Sequence, residues 1–110
     1  MKMSILFDKY NVEEFDSAPF TEHATVVFTK GEIGMMGLHA KVANVMSGDL
    51  HDQNHVLKGL VISTMMYGTE TQMELERALS HGCDSGMAYK LRGGKVTLTT
   101  DSHTIVLTPQ

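Results

Sequence analysis

The chain has 110 residues, which suits one domain and would leave two domains with too little core each. Thirteen acidic residues against nine basic ones give a net charge of −4, and the scattered Lys and Arg exclude a phosphate-gripping nucleic-acid surface. A composition of 42% hydrophobic and 20% charged residues excludes a disordered chain.

In chain order, Met3–Phe7 is a short apolar run that suits a strand or a helix start equally. Residues 8–22 mix Asp8, Glu13, Glu14, Asp16 and Glu22 with Lys9, and read as a loop with a helical turn at 12–15, so residues 1–22 are expected to be loosely ordered. Residues 23–30 alternate, with Ala24, Val26 and Phe28 on one side and His23, Thr25 and Thr29 on the other, the pattern of a half-buried strand. Residues 33–47 carry Ile33, Met36, Ala40 and Ala43 at helical spacing, widened by Met35, Leu38, Val42, Val45 and Met46. That run predicts a largely buried helix stopped by Gly48.

A second helix is predicted over 52–67 from Val56, Leu57, Leu60, Val61 and Thr64. A third is predicted over 70–81, opened by a capping box of Thr69 and Gln72, with Leu75, Ala78 and Leu79 inward and Gly82 as its stop. Glu74 and Arg77 would pair on its surface. The C-terminal part alternates twice around Gly93-Gly94 and again after Asp101-Ser102, which predicts a three-stranded antiparallel meander. The predicted fold is therefore a single α+β domain over residues 1–110. About three helices pack on one face of an antiparallel sheet that ends in the meander, and the other face is rich in threonine.

The functional reading starts from nine methionines and no tryptophan. Methionine fills irregular cores and also suits adaptable binding surfaces. The pairs Met35-Met36 and Met65-Met66 are the candidate partner-binding residues, and an exposed sheet edge offers a second route to association. The expected partner is another protein or a second copy of the chain, as a homodimer, with no nucleic acid and no membrane. The class expected on this reading is a small regulatory or inhibitor-like interaction protein of phage or bacterial origin, without a cofactor and not an enzyme.

The competing reading is a zinc-dependent enzyme or metal-stabilised domain. His51 and His55 are four apart, which on a helix puts both imidazoles on one face, and His81 and Cys83 could complete a tetrahedral set for zinc. The motif lacks a glutamate beside the first His. Cys83 as a nucleophile is opposed by a predicted helix C-terminus and by Asp84. Gly31, Gly34 and Gly37 match no phosphate-binding motif, no G-x-S-x-G is present, and no motif identifies a family. One cysteine, no evident signal peptide and no apolar stretch long enough to span a bilayer suggest a cytoplasmic protein.

Overall fold

A computed structural model describes residues 6–110. Its strands are β1 (Lys9–Phe15), β2 (Ala18–Pro19), β3 (Thr25–Lys30), β4 (Met35–Lys41), β5 (Val45–Gln53), β6 (Val56–Ser63), β7 (Met87–Arg92), β8 (Lys95–Thr99) and β9 (Thr104–Pro109). One helix, α1 (Glu70–Ser85), joins β6 to β7. Every neighbouring pair is antiparallel, and β9 returns to pair with β1, so eight strands close into a barrel. The two-residue β2 folds back on the end of β1 around Asp16 and Ser17, both at positive φ.

The expected fold class, helices on one face of a sheet, is corrected by this closure. Residues 33–47 are not a helix. They form most of the β4–β5 hairpin, where Met36, Leu38 and Ala40 point into the barrel and are buried, and His39 and Lys41 point out. Helical and two-residue spacings coincide at several of these positions, and pairing with β3 and β5 decided between them. The predicted helix over 52–67 is the end of β5, a turn at Asn54-His55, and β6. Both turn residues have positive φ, near 56° and 63°, as a two-residue hairpin of primed type requires. Residues 8–22 are likewise ordered, as β1 and β2, with Tyr10, Val12 and Phe15 buried. The run 3–7 lies mostly outside the described residues; Leu6 is buried.

Inward side chains from all round the barrel make one core, including Leu6, Val26, Phe28, Met36, Leu50, Leu57, Met87, Leu98, Ile105 and Leu107. Gly48 and Gly59 sit on the β5–β6 pair. A Cβ on Gly48 would collide with the carbonyl oxygen of Leu60, and one on Gly59 with that of Asp49, so these strands approach each other only because both positions lack a side chain.

The weakest seam lies between β6 and β7, which pair only at Val56–Ala88 and Leu57–Met87. The helix packs against β6 there. It inserts Leu75, Ala78, Leu79 and Cys83 into the core, all at most 2% exposed. Its N-terminus is the capping box read from the sequence: Thr69 Oγ1 accepts from Gln72 N (3.1 Å), and Gln72 Oε1 accepts from Thr69 N (2.9 Å). Glu22 accepts a hydrogen bond from the same Thr69 hydroxyl. The helix does not stop at Gly82, which is buried within it, but runs on to a cap at Gly86.

Candidate functional site

The methionines divide by position. Met36, Met46 and Met87 are at most 1% exposed and fill the barrel, so Met36 is a core residue and not a partner-binding one; Met35 is half-buried on β4. Met65 and Met66 lie in the connection from β6 to α1 and are 95% and 54% exposed. Tyr67 follows them, fully exposed, and Leu60 and Ile62 project outward from β6 with most of their surface in solvent. From Gly59 to Thr69 the sequence carries no charged residue. The result is an apolar stretch built from one strand end and one loop, bordered on β5 by exposed Asp49, the cross-strand partner of Leu60. The barrel closes through β1 and β9, while β6 pairs with β7 only at Val56 and Leu57 and has α1 packed against it.

A loop bearing so many exposed apolar groups needs an anchor, and Asn44 and Glu76 supply it. Asn44 sits in the β4–β5 turn, 2% exposed, and Glu76 on α1, 7% exposed. One carboxylate oxygen of Glu76 accepts from the backbone N–H groups of Ala43 (2.9 Å) and Asn44 (2.6 Å), and the other accepts from Asn44 Nδ2 (2.8 Å). The same Nδ2 donates to the carbonyl of Met66 (3.0 Å), while Asn44 Oδ1 accepts from Met66 N (2.6 Å) and Thr64 Oγ1 (2.9 Å). Every polar atom of these two buried side chains is thereby satisfied, and hairpin, loop and helix are fixed together. Nothing in the local sequence signals this pairing, since its members are 32 positions apart.

Between the loop and α1 lies a cavity of about 330 Å³, walled by Met46, Met66, Tyr67 and Met73 and edged by Arg77 and Ser80. On the other side of Arg77 is a polar cleft lined by Asp16, His81, Ser102 and His103, where two His–Asp pairs meet its wall. His103 Nδ1 and Asp16 Oδ2 are 2.7 Å apart, and His81 Nε2 and Asp101 Oδ2 are 3.3 Å apart. Burial raises the Asp16 pKa, but hydrogen bonds from Thr104 N–H and His103, with the imidazole charge, outweigh it and hold the carboxyl below its ordinary value. Hydrogen bonds from His81 and Ser102 do the same for Asp101. Ser102 Oγ donates to Asp101 (3.1 Å) and so is not engaged with an imidazole as a nucleophile would be. These pairs tie the β1–β2 and β8–β9 turns to each other and to the helix.

The four candidate zinc ligands are not brought together, and among the described residues no group of three or more His, Cys, Asp or Glu side chains could hold a metal. His51 is exposed on β5 and His55 occupies the β5–β6 turn, so their four-residue spacing does not fall on a helix. The His55 ring instead lies 5.2 Å from that of Tyr89, whose hydroxyl donates to Asp52 Oδ2 (2.5 Å). Burial, then that bond and the Asp52 charge, push the Tyr89 pKa far above the usual phenol range. His81 is engaged with Asp101. Cys83 is fully buried, and burial pushes its thiol up to about 12, the reverse of what a nucleophile or a thiolate ligand needs. The expected Glu74–Arg77 ion pair is not formed.

Among the described residues no helix is long and apolar enough to cross a membrane. No curated protein matches the chain. A solved structure determined by NMR is similar over 96% of this chain and 92% of its own, with a TM-score of 0.81 and 21% sequence identity, and that likeness carries the barrel fold. Nothing in these comparisons supports a regulatory or inhibitory role. The META domain family matches residues 5–110, the whole described barrel and its helix, and the chain belongs to that family.

Proposed function

We propose that the protein is a self-associating binding module whose contact surface is the outer end of β6 and the Met65–Tyr67 loop. The observation that carries this reading is the exposure of five large apolar side chains, Leu60, Ile62, Met65, Met66 and Tyr67, on one uncharged stretch held in place by the buried Asn44–Glu76 pair. Interface cores are depleted of charge and enriched in Met and aromatic residues. A two-fold interface sets a patch against itself, and a patch whose own side chains are uncharged, with Asp49 at its border, meets its copy with little like-charge repulsion. A second copy of the chain is therefore the partner this surface suits best.

The test is sedimentation equilibrium of the wild type beside the double variant Leu60→Lys/Met65→Lys. The expected result is a wild-type dimer and a monomeric variant with an unchanged melting temperature, since neither side chain belongs to the core. A wild type that stays monomeric at several hundred micromolar, or a variant that still dimerises, would overturn the proposal.

A further inference from the structure

We infer that the cavity between the Met65–Tyr67 loop and α1 is a binding site for a small amphipathic anion, an alkyl carboxylate of medium chain length. Its volume, about 330 Å³, lies at the small end of the range for ligand pockets. Four of its walls are the flexible or flat apolar side chains Met46, Met66, Met73 and Tyr67. Unbranched methionines repack around an alkyl chain at little cost, so such a wall accepts a chain better than a rigid ring system.

The rim supplies the polar end. Arg77 and Ser80 stand one helical turn apart on α1 and both edge the cavity. Among the described residues no carboxylate lies within ion-pairing distance of Arg77, and neither its guanidinium nor the Ser80 hydroxyl makes a hydrogen bond. Glu76 also lines the cavity, but both its carboxylate oxygens are engaged by three hydrogen bonds from Ala43 and Asn44. A guanidinium with its planar donor fork free, beside a hydroxyl, matches a carboxylate. The apolar walls and the free cation together select an apolar chain with an anionic head, over a neutral apolar molecule or a polar anion.

The inference does not depend on self-association. Leu60 lies outside the cavity, so every titration is repeated on the Leu60→Lys/Ile62→Lys variant, which separates the two. The probes are octanoate and octan-1-ol, added to protein carrying ¹³C-methyl methionine and followed by NMR. With octanoate, the methyl signals of Met46, Met66 and Met73 are expected to move together along one saturable curve, while those of Met36 and Met87 stay still. Arg77→Gln is expected to weaken octanoate about tenfold and leave octan-1-ol unchanged, and Arg77→Lys to restore part of the difference. The inference is overturned if octanoate gives no saturable shift at millimolar concentration. It is equally overturned if Arg77→Gln binds octanoate as tightly as the wild type, or if the signals that move are those of Met36 and Met87, which do not line the cavity.

Discussion

Replacing Asn44 by Ala tests the anchor on which both proposed surfaces depend. The side chain makes three hydrogen bonds with neutral partners, Met66 N–H, Met66 carbonyl and Thr64 hydroxyl, and one with the Glu76 carboxylate. At about 1 kcal/mol for each neutral bond and about 2 for the charged one, the gross loss is roughly 5 kcal/mol. Thr64 and Met66 are exposed and recover part of it from water, leaving a net loss of about 3 kcal/mol, most of it at the buried Glu76. For a chain of this length the unfolding entropy is about 0.23 kcal/mol/K, so the melting temperature should fall by about 13 °C. Urea unfolding followed by circular dichroism reads the loss directly, with an unchanged denaturant slope. Asn44→Asp sharpens the test. It keeps an acceptor for Met66 N–H but sets a second carboxylate against Glu76, so at pH 7 it should be worse than the alanine. A loss below about 1 kcal/mol for Asn44→Ala, or an aspartate milder than the alanine, would refute the account of the network.

Two further expectations concern titrating groups. The folded-state pKa of Asp16 lies below its ordinary value, so its pairing stabilises the protein fully above the ordinary carboxylate range and is lost as pH falls through the folded value. The stability difference between wild type and Asp16→Asn, measured by urea unfolding, should therefore shrink as pH falls below about 4, and a constant difference would count against the pairing. Cys83, fully buried and with its thiol pushed up to about 12, should resist a disulfide reagent at pH 8 until the protein is unfolded. Prompt stoichiometric labelling of the native protein would show that the helix does not seal the barrel.

The sequence was most legible where local chemistry and tertiary demand agree. Alternation in 23–30 places Ala24, Val26 and Phe28 inside, as found, and Gly93-Gly94 adopts the two positive φ values that its hairpin needs. The capping box of Thr69 and Gln72 locates the start of the helix correctly, and Leu75, Ala78 and Leu79 face the core. Legibility failed where apolar residues occupy both faces of a strand. Met35 and Met36, or Val61 and Ile62, satisfy a helical stripe as readily as an alternating one, and only cross-strand pairing chooses. The barrel itself was hidden for a related reason: its closure joins β1 to β9, and no local pattern in residues 9–15, four of the seven polar or charged, announces a partner at the far end of the chain. Of the candidate site residues, Met65 and Met66 lie on the exposed surface, while Met36 went to the core and the proposed zinc ligands stayed apart.

The pairing of β1 with β9 also sets the order in which the molecule can be made. Asn11 and Gln110, which touch across that seam, are 99 positions apart in the chain. A contact over so long a loop forms late, after the hairpins β4–β5 and β7–β8 have had time to zip locally. Until it forms, β1 presents an unpaired row of N–H and C=O groups, with Tyr10, Val12 and Phe15 uncovered beside it. During synthesis the first strand must wait for the last, and the interval is the period in which this chain is most exposed to aggregation.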